Sequence, residues 1–291
     1  MNVTIIGANG QIGSDLARAF RTAGAQVDGL SHQDIEIAEA AAVEAKLAET
    51  KPDVVVNTAA FHNVERCENE PQTAFAVNAT GARNVAQAAA RQQCKLIHIS
   101  TDYVFDGQKG RPYVEEDCPR PLNCYGNSKL SGEYFIQAVA GNYAIVRVSG
   151  LYGSEPCRAK KGLNFVKTML KLARERGEVK VTADEFVTPT FTRAAAEQIV
   201  KLAGARETGL FHATPQGQCS WYEFAEAIFH YTRTPVKLLP ATSADFPAKV
   251  LRPRYSVLDN GRLRAAGIDI MPQWKECLRS YLKEIGELKE G

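Results

Sequence analysis

Val3-Thr4-Ile5-Ile6-Gly7-Ala8-Asn9-Gly10-Gln11-Ile12-Gly13 joins a short β-branched run to glycines at 7, 10 and 13. Leu16, Ala17 and Phe20 then fall on one side of a helix. Strand, glycine loop and helix in that order predict an α/β chain whose first turn binds a nucleotide. Glycines let the backbone turn tightly and approach a pyrophosphate, which rests on the unpaired N–H groups at the helix N-terminus. The candidate contacts are Gly7, Asn9, Gly10, Gln11, Ile12 and Gly13. Their spacing is GxxGxxG, unlike the GxGxxG of the dehydrogenase fingerprint.

Outward from this loop, Ala25 to Leu30 reads as the second strand, ending beside the adenosine ribose. An acid there would bind a 2′-hydroxyl, whereas a basic or small polar residue leaves room for a 2′-phosphate. Ser31 and His32 stand at that edge with Asp28 inside the strand, which leans towards NADPH over NADH. Asp34 and Ile35 offer an amide-side contact and an apolar wall for the adenine, and Asp34 equally suits a cap for a helix from Ala38 to Glu49. The apolar strand after Pro52 ends in Asn57, Thr58, Ala59 and Ala60, and the small side chains of the last three permit close approach of a cofactor. Phe61 to Glu68 reads as a loop in which His62 is no metal ligand, and Pro71 to Arg91 as a helix with Asn78 as a packing or hydrogen-bonding residue.

A second apolar run, Leu96 to Ile99, ends in Ser100 and Thr101, placing hydroxyls at the carboxyl edge of a sheet. Pro119, Pro121 and Asn123 break the chain before a helix from about Tyr125. Tyr125 and Lys129 share one face of it, so the ammonium is expected near the phenol, lowering its pKa and making it usable for proton transfer.

With 291 residues, 45% apolar and 23% charged, the chain suits one large α/β domain or a domain with a smaller lobe. A net charge of +2 argues against a nucleic-acid or membrane partner. The absence of a signal-like or membrane-spanning segment leads to the expectation of a cytoplasmic protein. Seven scattered cysteines without a CxxC pair read as free thiols, with neither a disulfide framework nor a zinc site.

The glycine loop, Asn57-Thr-Ala-Ala60, Ser100-Thr-Asp-Tyr-Val-Phe-Asp-Gly107 and Tyr125-Gly-Asn-Ser-Lys129 in series resemble the extended short-chain dehydrogenase/reductases, and among them the dTDP-4-dehydrorhamnose reductases. The similarity continues through Asn164-Phe-Val-Lys-Thr-Met169, Thr188-Pro-Thr-Phe-Thr192, Gly209-Leu-Phe-His212, Ser220-Trp-Tyr-Glu-Phe224 and Arg252-Pro-Arg-Tyr-Ser-Val-Leu-Asp259. It implies a Rossmann-like doubly wound parallel sheet with a smaller mixed α/β substrate lobe. It also implies Tyr125 as general acid, Lys129 on the nicotinamide ribose, and Thr101 on the substrate carbonyl, with Ser100 beside the cofactor. Asp102, Val104 and Asn164 would face the sugar. The implied substrate is a nucleotide sugar, and the family includes Mg²⁺-linked dimers to which Asp15 could contribute; no metal ligands are placed.

Many family members carry Trp where this chain has Gly150, which keeps another nucleotide-linked 4-keto-6-deoxysugar open as substrate. A non-catalytic NADP-binding subunit, like the β subunit of methionine adenosyltransferase, resembles the same reductases. Residues 1–153 and about 179–205 are expected to bind the dinucleotide, and about 154–178 with 206–291 to form the lobe. Val179 to Thr182 should return to the sheet, and the tail from Lys283 should fray. In the lobe, Arg254 is the choice for a diphosphate because an arginine fork matches phosphate oxygens, while Trp221 reads as lobe core. Arg158, Lys160 and Lys161 read as a solvated basic loop.

Overall fold

A computed structural model describes residues 1–156, 162–246 and 249–289, so the basic loop with Arg158, Lys160 and Lys161 lies outside the described residues. Strands β1 (Asn2–Ile6), β2 (Gln26–Leu30), β3 (Val54–Asn57), β4 (Lys95–Thr101) and β5 (Tyr143–Val148) join Gly209–His212 in a six-stranded sheet. Its order is Gly209–His212, β5, β4, β3, β1, β2, and every pairing is parallel. All seven residues of β4 are buried, as a strand covered on both faces requires. Helix α1 (Gln11–Thr22) and Thr192–Gly204 bury Leu16, Phe20 and Ile199 against Val3, Ile5 and Ile97 on one face. Alternate strand residues Ile6, Val55 and Leu96 face the other way, against Val43, Leu47, Val85 and Ile136.

The chain runs from β1 to β2 on one side and then to β3 on the other. That reversal opens a crevice at the carboxyl ends of β1 and β3, the place where open α/β sheets bind ligands. The glycine loop leaves β1 at this point. A separate apolar core, including Tyr152, Val166, Phe191, Phe224, Trp274 and Tyr281, builds the lobe.

Three expectations are corrected. Gly209–His212 belongs to the main sheet, paired with β5, and not to the lobe. Glu178–Thr182 does not return to that sheet but pairs with Lys237–Ala241. Its side chains alternate between exposed and buried, which suits a two-stranded ribbon with one wet face. The tail stays docked as far as Lys289, because Leu288 packs on the lobe core and Glu287 pairs with Arg174 at 2.5 Å. The expected loop at Phe61 to Glu68 also contains a short helix, Val64–Asn69, capped by Asn63 Oδ1, which accepts from Arg66 N–H.

Six cysteines among the described residues are free. No helix among the described residues is long and apolar enough to cross a membrane.

Candidate active site

The glycine loop is shaped by exclusion. A Cβ on Gly13 would stand 2.2 Å from the Gly7 carbonyl oxygen, and one on Gly7, at φ +84°, 2.5 Å from Thr58 Oγ1. The loop can therefore lie flat against the end of β3 only without side chains there. Gly10 caps α1 without a side-chain bond, so the first-turn N–H groups are left for an anionic ligand. These features fit a dinucleotide pyrophosphate.

Around the loop, Asn9 is exposed, and Gln11 donates through Nε2 to the Gly153 carbonyl at 3.3 Å. Ile12 is buried in the core beneath α1, so a contact from it is confined to its backbone. Thr58 Oγ1 donates to the Ile6 carbonyl at 2.8 Å, and Ala59 and Ala60 follow half-buried at the same edge. The Leu30 carbonyl accepts from the Gly7 and Ala8 N–H groups, which brings Ser31 and His32 beside the loop. Asp34 does not cap the following helix: its carboxylate accepts from the Ser31 N–H and hydroxyl, both at 2.7 Å, while Ala40–Thr50 begins after Glu39 without a side-chain cap. Ile35 packs with Leu30, Ile37 and Val43 in the core instead of forming an open wall.

The helix Cys124–Val139 starts at Asn123, whose Oδ1 accepts from Gly126 N–H at 2.8 Å. Gly126 allows that first turn to press on the short turn Asp102–Val104, because a Cβ there would lie 2.3 Å from the Tyr103 carbonyl oxygen. The approach brings Tyr125 close to Thr101 and sets its ring edge-on to Tyr103 at 5.7 Å. Thr101 Oγ1 accepts from Tyr103 N–H at 3.1 Å and donates to Asp102 Oδ1 at 3.0 Å. Ser149 donates to the other Asp102 oxygen at 2.9 Å. Burial pushes the Asp102 carboxyl up to about 6, against hydrogen bonds from Ser256, Ser149 and Thr101.

The expected lowering of the Tyr125 pKa by Lys129 is not found. Burial raises the phenol above its ordinary range, and the nearby Thr101 hydroxyl only moderates this. Lys129 Nζ is occupied elsewhere, donating to the Ile99 carbonyl at 2.7 Å and lying 3.0 Å from His98 Nε2. Burial brings this lysine down to about 8, with Glu133 opposing.

Other sequence expectations also change. Ser100 donates its hydroxyl to Glu133, which forms a buried bidentate pair with Arg147, so it supports the helix rather than facing a cofactor. Val104 is fully buried with Phe105, Tyr113, Leu130 and Leu258 and faces no sugar. Asn164 is a helix cap: Oδ1 accepts from Lys167 N–H, and Nδ2 donates to the Gly153 carbonyl and the Tyr281 hydroxyl, both at 2.8 Å. Its amide is consumed by the fold.

A cavity of about 640 Å³ opens from Asp102 and Tyr103 towards the lobe, lined also by Gly150, Trp221, Arg252 and Arg254. Both arginines are exposed, and neither forms an ion pair within the described residues. Trp221, expected in the lobe core, is shared between that core and the cavity wall. Gly150 sits at φ +53°, and a Cβ there would lie 3.5 Å from Trp221 Cη2. The sequence reading passed over Tyr103, Asn57 and His98. Its signal for the last two was a polar residue within an apolar strand, and the β3–β4 register places them side by side.

A parallel sheet with a glycine loop at its reversal point and a Thr101–Tyr125–Lys129 set at its carboxyl edge defines an extended short-chain dehydrogenase/reductase. Residues 1–287 match the RmlD substrate binding domain family. The chain is 39% identical to the spore coat polysaccharide biosynthesis protein SpsK of Bacillus subtilis, over 97% of each chain. A dTDP-4-dehydrorhamnose reductase from Clostridium acetobutylicum superposes with a TM-score of 0.94 at 40% identity, covering 98% of this chain and 100% of that one. The Bacillus anthracis enzyme of the same name, solved in complex with NADP, gives 0.92 at 38% identity over 97% and 99%. The chain belongs to the dTDP-4-dehydrorhamnose reductase family.

For the metal raised by the resemblance, the described residues contain no group of three or more His, Cys, Asp or Glu side chains suited to hold an ion. Asp15 is buried, accepting from Thr192 Oγ1 at 2.6 Å and pairing with Arg18.

Proposed function

We propose that this chain reduces the C4 keto group of dTDP-4-dehydro-L-rhamnose to give dTDP-L-rhamnose, with NADPH preferred over NADH. The observation that carries this reading is the convergence of Tyr125 on Thr101, next to Asp102 and Tyr103 of the cavity wall, at the carboxyl edge that also holds the glycine loop. Gly7, Gly10, Gly13 and the start of α1 would hold the pyrophosphate, and Lys129 the nicotinamide ribose. A bound reduced nicotinamide supplies hydride to the carbonyl carbon.

Tyr125 then gives its proton to the oxygen on which negative charge grows. A phenol held above its ordinary pKa by burial stays protonated until that moment. Thr101 turns its hydroxyl from Asp102 to the same oxygen, and the two donors stabilise the developing alkoxide. Arg254, with Arg252 beside it, would take the diphosphate. The preference for NADPH rests on Ser31 and His32 following β2, with Asp28 opposite Thr4 and well back from the edge.

A second reading, another dTDP-linked 4-keto-6-deoxysugar, is favoured by Gly150 in the cavity wall, where φ is +53° and a Cβ would meet Val187 Cγ2 at 3.1 Å, so the wall there carries no side chain. Both readings are tested by generating the keto sugar from dTDP-glucose with a dehydratase and an epimerase and following NADPH and NADH loss separately. NADPH consumption with formation of dTDP-L-rhamnose is expected. Turnover only when the epimerase is left out would favour the second reading, and no oxidation of either cofactor would exclude both.

A further inference from the structure

Beneath the candidate active site, Asn57 of β3, His98 of β4 and Lys129 of the catalytic helix form a buried row, each at most 2% exposed. The hydrogen-bond count along this row determines where protons can sit. Ala59 N–H, which can only donate, lies 3.1 Å from Asn57 Oδ1. That fixes the amide, so Nδ2 donates to His98 Nδ1 at 3.2 Å. A neutral imidazole that accepts at Nδ1 carries its proton on Nε2. Nε2 faces Lys129 Nζ at 3.0 Å. An uncharged amine can accept that proton's hydrogen bond, while an ammonium has no lone pair to do so.

The alternatives do not close. With the imidazole proton on Nδ1, an N–H points at the Asn57 amide N–H. With both nitrogens protonated, donors meet donors at each end. Turning the Asn57 amide only moves the conflict to Ala59 N–H. The row is complete in one state, with His98 protonated on Nε2 and Lys129 uncharged.

We propose that Asn57 and His98 are a positioning pair that favours the uncharged form of Lys129 and so sets the pH at which this lysine gives up its proton. The inference rests on the reading of Lys129 as part of the reductase site. The other groups around the row act against it or stand apart from it. Glu133, on the lysine's own helix, favours the ammonium but is neutralised by Arg147 and bonded by Ser100. Tyr125, one turn earlier, is kept a neutral phenol by burial. Burial by itself pushes His98 below its ordinary range, consistent with a neutral ring.

The test follows the Lys129 Nζ resonance against pH in ¹⁵N-lysine-labelled protein without substrate, with Lys129→Met to assign the signal. Asn57→Asp and the uncharged Asn57→Ser both place an acceptor opposite Nδ1, letting that nitrogen carry the proton and Nε2 accept from an ammonium. Each variant is expected to raise the lysine's titration by about one pH unit or more, a tenfold change in the ammonium-to-amine ratio. The basic limb of the kcat profile should move the same way.

A shift with Asn57→Asp alone would assign the effect to an added charge and overturn the proposal, as would no shift in either. Should the variants fail to fold, long-range ¹H–¹⁵N spectra of the wild-type histidines decide it. Above the lysine's titration His98 is expected as the Nε2–H form, and an Nδ1–H form overturns the proposal. None of these spectra requires a keto sugar, so a failed reductase assay and a failed positioning role for Asn57 and His98 are told apart.

Discussion

Tyr125 and Asp102 are both displaced upward in pKa by burial, with different consequences for function and stability. For the phenol, the raised value means a proton retained for transfer. Tyr125→Phe keeps the ring and its edge contact with Tyr103 but removes that proton. It is expected to lower kcat at least ~10²-fold while NADPH affinity, measured by calorimetry without substrate, is unchanged. For the carboxyl, the folded-state pKa of about 6 lies above the ordinary value of 3.8. The folded chain therefore keeps a proton that the unfolded chain has lost between about pH 4 and 6. Stability from this group is fully present below that window and is lost as pH rises through it. Asp102→Asn cannot ionise and should raise Tm at pH 7 to 8, with the gain vanishing near pH 4. Equal melting of both proteins at pH 8 would show that the carboxylate is better solvated than its surroundings suggest.

Between elements, the candidate site depends on how closely the helix Cys124–Val139 approaches the turn after β4. Gly126→Ala would place a methyl 2.3 Å from the Tyr103 carbonyl oxygen, which is backbone and cannot swing away. Overpacking of this kind costs ~1–3 kcal/mol, and the relief available is to lift the helix start, carrying Tyr125 off Thr101. The expected result is a lower Tm together with at least a ~10-fold fall in kcat, since a small misplacement of reacting groups is expensive. A fall in Tm with kcat intact would show that the contact holds the fold but not the chemistry. Elements set by local chemistry were legible in the sequence: the β1–glycine loop–α1 unit, and the Asn123 break before Tyr125. What depended on partners distant in the chain was not. Gly209–His212 is a sheet strand because β5 offers it an edge, and Lys129 turns to His98 because the β3–β4 register puts that ring there. Asn164 carries a family motif, yet helix capping and the Tyr281 hydroxyl use its whole amide.

Across the whole molecule, the turn after β4 supplies Asp102 and Tyr103 at one end of the cavity and the lobe supplies Arg252 and Arg254 at the other, in a chain whose net charge is only +2. Gly107 helps set this charge in place, because a Cβ there would lie 2.6 Å from the Arg254 backbone nitrogen. Glu185 tempers it: burial raises its carboxyl, and Arg252 and Arg254 pull the other way. If Arg254 binds a diphosphate remote from the carbonyl, its contribution is made equally in the ground and transition states. Arg254→Ala should then raise KM about tenfold with kcat little changed, the signature of lost uniform binding. Screening supplies the discriminating measurement, since the Debye length shrinks from ~10 Å at 0.1 M salt to ~3 Å at 1 M. Wild-type KM should climb over that range, and the variant's more shallowly, having less attraction left to screen. Parallel salt dependence in the two proteins would move the diphosphate away from Arg254 and onto Arg252, for which the same pair of measurements then serves.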